Sequence, residues 1–90
     1  MQEQEEKWHF RGMVIPGHMR KNIEFYIKLG QPADDFLKAI ICNDLKKTVM
    51  LADDYNIRII PAYVNYFYNS APLTCWGNEK TYERWLKAKR

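Results

Sequence analysis

The apolar positions between residues 33 and 53 carry the strongest pattern in the chain. Phe36, Leu37, Ile40, Ile41 and Leu45 recur at the i, i+1, i+4, i+5 spacing of a core-facing helical stripe. Continued at about 100° per residue, the same half of the cylinder takes in Thr48, Leu51 and Ala52. The pattern favours an unbroken helix from Asp35 to Asp53. Asp44 then falls in the middle of the apolar half, where an unpaired carboxylate is costly or becomes protonated. Two resolutions are open. In one, the helix breaks and Asp44 caps a new one, but Lys46 and Lys47 then occupy a first turn whose dipole disfavours cations. In the other, Asp44 stays helical and accepts hydrogen bonds from a buried Tyr hydroxyl, the Trp76 indole or backbone N–H groups of the 69–78 loop. The second is preferred.

The remaining elements follow from local signals. Residues 1–7 are polar and predict disorder or a frayed turn. Trp8-His9-Phe10-Arg11 alternates apolar and polar, and with Met13-Val14-Ile15 after Gly12 it predicts an extended arm. Such an arm lies across the helices or across a neighbouring subunit. Pro16-Gly17 opens a first helix over about 17–29, with Met19, Ile23, Tyr26 and Ile27 inward. Gly30 stops it, and Pro32 prevents continuation. Asp34 and Asp35 start the next helix, where negative charge suits the N-terminus. After the turn residues Asp53-Asp54-Tyr55-Asn56, Asn56 is placed to cap a helix over about 57–69. Its inward set is Ile57, Ile60, Val64, Phe67 and Tyr68, with Tyr63, Asn65 and Tyr66 toward the other side. Pro61 within that span predicts a kink or a late start. Asn69-Ser70-Ala71-Pro72 ends that helix, Leu73-Thr74-Cys75-Trp76-Gly77 forms an apolar loop anchored by Trp76, and Asn78 caps a last helix over about 79–88 with Tyr82, Trp85 and Leu86 in one stripe. Together these predict an all-α protein: a compact bundle of four to five short helices, with an N-terminal arm over residues 1–13 and a single helical domain over 14–90.

Composition adds two points. Aromatics make up 14% of the chain, with six Tyr and three Trp; a core this small cannot hide so many rings, which favours self-association into a homo-oligomer. The net charge of +3 is too small and too spread to indicate nucleic acid by itself. Lys80, Arg84, Lys87, Lys89 and Arg90 do gather near the C-terminus, where they also complement a helix dipole. The two cysteines, Cys42 and Cys75, have neither CxxC nor HxxxH spacing around them, so reduced thiols without a metal are expected. No apolar run approaches membrane-spanning length.

No phosphate-cradling glycine loop, serine-nucleophile elbow or zinc motif is present, so a non-enzymatic protein without a cofactor is expected. Asn43, Asp44, Asp53, Asn56, Tyr68, Asn69 and Trp76 form the one polar constellation. It serves either as caps and a buried network or as a concave ligand or partner site for a polar, ring-bearing molecule such as a nucleotide. The ordered set Ile15-Pro16, Tyr26-Ile27, Gly30-x-Pro32, Asp35-Phe36-Leu37-x-Ala39-Ile40, Asn43-Asp44-Leu45, Ala52-Asp53, Asn56, Tyr68-Asn69-x-Ala71-Pro72 and Cys75-Trp76-Gly77 resembles a family of small uncharacterised phage and prophage proteins. Pro61 departs from that pattern. The resemblance implies a compact helical protein acting in the host cytoplasm. Its expected role is to bind and neutralise a host component, either a host-defence protein or a nucleotide immune signal. The alternative is a small nucleic-acid-binding protein using Arg20, Lys21, Lys80, Arg84 and Lys87.

Overall fold

A computed structural model describes residues 6–89; the expectations for residues 1–5 and for Arg90 lie outside them. A two-stranded antiparallel hairpin precedes the helices described below, β1 (His9–Phe10) and β2 (Met13–Val14), with His9 opposite Val14 and Phe10 opposite Met13. Arg11 and Gly12 both have positive φ, 51° and 82°, the geometry of a tight two-residue hairpin turn. The expected extended arm is thus doubled back on itself. It packs on the helices through Trp8, which is buried and lies parallel to Tyr66 at 4.5 Å between ring centroids.

Five helices follow: α1 (Gly17–Leu29), α2 (Asp35–Ile41), α3 (Leu45–Leu51), α4 (Ile60–Asn69) and α5 (Glu79–Lys89). Short 3-10 turns at Asn56–Arg58 and Leu73–Cys75 link the later ones. The result is the expected all-α bundle with a short N-terminal extension. Helix α1 begins and ends where its stop signals place it. Gly30 takes φ +69°, and its N–H reaches the Tyr26 carbonyl at 3.1 Å. A Cβ at Gly30 would overlap Lys89 on α5, so this turn also sets how closely α5 approaches. Asp34 caps α2 by accepting from the Leu37 N–H at 2.8 Å.

Tyr26 organises the core. Its hydroxyl donates to the Cys75 carbonyl at 2.6 Å, its ring stacks on Tyr82, and its own carbonyl accepts from Trp85 Nε1 at 3.0 Å. One α1 side chain thereby holds both the 69–78 loop and α5.

Of the expectations about α4, the late start at Pro61 is observed, and the inward face and the cap are corrected. Pro61 lies in the first turn, and the helix begins at Ile60. A proline is tolerated there because the N–H it lacks has no partner inside the helix. The inward face is Ala62, Tyr63, Tyr66 and Phe67, whereas Ile57, Val64 and Tyr68 are exposed. The late start separates Ile57 from the helical register. The phenols of Tyr63 and Tyr66 go inside with their rings, which the polar character of tyrosine conceals in a sequence. Asn56 does not cap this helix either. It lies in the preceding turn, and Asp53 caps that turn by accepting from the Asn56 N–H at 2.7 Å.

Candidate functional site

The preferred unbroken helix is overturned at residues 42–44. Asn43 adopts φ +60°, the left-handed conformation that ends a helix and that Asn tolerates better than most residues. Its N–H donates to the Ile40 carbonyl at 3.0 Å, and the Asp44 N–H donates to the Ala39 carbonyl at 2.8 Å. These paired bonds close α2 and turn the chain into α3. Asp44 then caps α3: its carboxylate accepts from the Lys47 N–H at 3.1 Å, and its carbonyl accepts from the Thr48 hydroxyl at 2.8 Å. Lys46 and Lys47 do stand in the first turn. An exposed charge against a helix dipole costs a few tenths of a kcal/mol, against about 1 kcal/mol for a cap, so the cap prevails. The 69–78 loop does supply a backbone donor here, but to α2 itself: the Gly77 N–H reaches the Ile41 carbonyl at 2.7 Å.

This elbow leaves α3 poorly covered. Only Thr48 is buried; Leu45 is 73% exposed and Met50 74%, with Val49 and Leu51 nearly half exposed. Although α1 also exposes Phe25 and Leu29, each of α1, α2, α4 and α5 buries at least one apolar side chain and α3 buries none, so its outward apolar face stands apart among the described helices. Beside α3, Ile40, Asn43, Leu45, Thr48, Ile60, Val64 and Trp76 enclose a crevice of about 90 Å³. Trp76 is fixed as its wall by stacking on Phe67 at 5.5 Å. Sites for small organic ligands usually measure about 300–1,000 Å³, so this crevice accepts a side chain and not a nucleotide.

A second, more open cleft of about 410 Å³ lies along the other side of the elbow. Its charged lining is Asp35, Asp44 and Glu79 with Lys38 and Lys47, beside Ala39, Cys42, Met50 and Leu51. Three carboxylates against two ammonium groups make a poor seat for phosphates. Burial pushes the Cys42 thiol pKa up, against the opposing pull of Lys38. The sulfur therefore stays protonated and weakly nucleophilic near neutral pH. Among the described residues, no group of three or more His, Cys, Asp or Glu side chains is placed to hold a metal ion.

The seven residues singled out by sequence fall into three places. Asn43, Asp44 and Trp76 meet at the elbow, with Asn43 and Trp76 lining one crevice and Asp44 the opposite cleft. Asp53 and Asn56 sit in the α3–α4 connection; Asp53 is exposed and accepts from the Asn56 N–H, while Asn56 turns inward, where its Oδ1 accepts from the Tyr63 hydroxyl at 2.7 Å. Tyr68, 71% exposed, and Asn69, bonded to Asn65 at 2.8 Å, stand at the solvent end of α4. The first group borders a surface, the second is architecture, and the third touches neither cavity. Leu45, Val49, Met50 and Val64 were missed, because a continuous helix buries Leu45 and a helix started at residue 57 buries Val64.

The basic residues are likewise divided. Arg20 donates through Nε to the Ile15 carbonyl at 2.7 Å and lies over the Trp8 ring, so it is tied to the hairpin end of α1. Helix α5 attaches through Tyr82 and Trp85 at Tyr26, two turns further along α1. Lys80, Arg84 and Lys87 are exposed on α5, interspersed with Glu79 and Glu83, and Lys21 is exposed on α1. No helix among the described residues is long and apolar enough to cross a membrane. No protein-family model, no curated protein and no solved structure matches this chain.

Proposed function

We propose that the protein acts by stoichiometric binding to another polypeptide, without catalysis. It is read as an accessory protein of phage type that neutralises a host protein in the host cytoplasm. The observation that carries this reading is the outward apolar face of α3, with Leu45 and Met50 about three-quarters exposed, continuous through Leu45 with the crevice at Val64 and Trp76. Such a surface gains free energy mainly by burial in a protein interface, with one anchoring side chain of the partner seated in the crevice. A nucleotide signal is the weaker target: the crevice is too small for it and the larger cleft carries an excess of carboxylates.

The test is affinity capture from host lysate with the wild type and with Val64→Asp, followed by assay of the captured protein's own activity. The expected result is one protein retained near 1:1 by the wild type, inhibited by it, and lost with Val64→Asp while the fold persists. Equal retention by both proteins, or calorimetric binding of a nucleotide by both, would remove the α3–α4 surface from the function. The nucleic-acid alternative rests on the exposed i, i+4, i+7 series Lys80, Arg84 and Lys87. It requires a gel shift that weakens steeply with salt.

A further inference from the structure

We infer that the outer face of α3 is the contact for a second copy of this chain, the two α3 helices packing antiparallel about a two-fold axis near Met50. This rests on the reading of α3 as a binding surface and names an occupant for its outer side. The argument is charge complementarity. Helix α3 has no acidic residue in its first turn and no basic residue in its last. Instead Lys46 and Lys47 stand at its start, and Asp53 and Asp54 follow its end. The Asp44 cap stands at its favoured end, but these four charges stand at the ends that the helix dipole disfavours.

Against an antiparallel copy the same arrangement becomes favourable. Helix α3 ends at Leu51 and Ala52 is extended, so a register centred on Met50 sets Val49 opposite Leu51 and brings Lys46 and Lys47 to the end of the second copy's helix that Asp53 and Asp54 follow. Two-fold symmetry repeats each pairing. Each Lys pair also meets the C-terminal end of the facing helix, where cations are favoured. The geometry of α3 agrees. Thr48 is its one buried residue, and at about 100° per residue Lys46 and Met50 both project from the opposite side. Met50, about three-quarters exposed, then packs on its own symmetry mate, a contact that the flexible thioether tolerates. The crevice at Val64 lies to the flank, so a dimer presents two of them.

Sedimentation equilibrium of the whole protein tests the pairing with Lys46→Glu, Asp54→Lys and Met50→Asp. Asp53 is left in place because it caps a turn. The wild type is expected to dimerise. Each single charge reversal weakens self-association by about tenfold. An equimolar mixture of Lys46→Glu with Asp54→Lys recovers a heterodimer, since both cross-pairs are then opposite in sign. Met50→Asp is monomeric with an unchanged circular dichroism spectrum. A monomeric wild type at millimolar concentration overturns the inference and leaves α3 to a different partner. A dimer indifferent to the charge reversals also overturns it, placing the contact elsewhere. Target capture by Lys46→Glu, whose charge is no part of the apolar surface, separates the two readings: a protein weakened in self-association that still captures its target keeps the proposed function whatever the fate of the dimer.

Discussion

The Tyr63 hydroxyl donates to Asn56 Oδ1 at 2.7 Å, and both residues are buried. This bond joins α4 to the turn that precedes it, and with Asp53 on the Asn56 N–H it fixes where the chain leaves α3. Removing one partner leaves the other buried and unsatisfied, which costs more than the bond contributes. Asn56→Ala is expected to lower stability by about 1–3 kcal/mol in urea unfolding. Tyr63→Phe is expected to cost a similar amount, and the double variant less than the sum, because no orphan group remains. Additive losses would mean that the two side chains do not act as a pair.

The elbow makes a prediction in both directions. Asn43 holds φ +60°, a conformation that glycine adopts freely and a β-branched residue does not. Asn43→Gly should leave stability within about 0.5 kcal/mol of the wild type, whereas Asn43→Val should lose about 1–2 kcal/mol. Asp44→Ala removes the cap on the Lys47 N–H and should cost about 1 kcal/mol. Thermal melts of the three variants check this. If Asn43→Val proves as stable as Asn43→Gly, residue 43 does not hold the left-handed turn.

The elbow also marks where the sequence stops being legible. Gly30 and Pro32 announce the end of α1 because only a few residues suit a left-handed cap and none continues through proline. Asp34, Asp53 and Asn78 announce turns and caps for a similarly local reason. Breaking a helix at Asn43 is different. The apolar spacing from Phe36 to Ala52 is satisfied by one helix or by two, and the deciding term is a backbone conformation that Asn permits without demanding. The paired lysines argued for the wrong answer, since their contact with solvent, or with a second copy, is not written in their own helix. In α4 the error had another source. A tyrosine is equally at home outside, or inside with a partner for its hydroxyl, and that partner, Asn56, is recognisable only after the chain has folded. The candidate surface was illegible in consequence: Leu45 and Val64 read as core until the break and the late start turn them outward.

The buried thiol and phenols set a pH limit. Burial pushes the Cys75 thiol from 9.0 to about 11, and burial with the nearby Cys75 and Glu24 pushes Tyr66 from 10.0 to about 12. Burial raises Tyr26 and Tyr63 further still. Each folded pKa lies above its unfolded value, so between the two the unfolded chain has fewer bound protons than the native one. Stability is therefore fully present below about pH 9 and falls as the pH rises, first through the Cys75 window and then through those of the tyrosines. Urea midpoints should be level from pH 7 to about 8.5 and decline steadily to pH 11. Cys75→Ala should make the early part of that decline shallower, leaving the share of Cys42. A midpoint constant to pH 11 would show that these groups are equally accessible in both states.

Trp8 turns the N-terminal segment from an appendage into part of the core. It is 4% exposed, lies parallel to Tyr66 on α4 with an angle of 7° between the rings, and passes its carbonyl to the Ile15 N–H across the hairpin at 3.0 Å. Arg20 covers its outer side at 5.7 Å, a cation held over an indole face. An arm that merely lay along the surface would cost little to truncate, within about 0.5 kcal/mol. A buried indole truncated in a well-packed core costs about 3–5 kcal/mol, a large part of the whole stability of so short a chain. Trp8→Ala is therefore expected to lower the unfolding midpoint severely, Trp8→Phe to retain part of the loss, and His9→Ala, one residue on but facing solvent, to change almost nothing. Tyr66 amide exchange measured in parallel should quicken in Trp8→Ala and not in His9→Ala. The outcome that would sink this account is a Trp8→Ala protein with wild-type stability, since the hairpin would then be held to α4 by nothing that matters to folding.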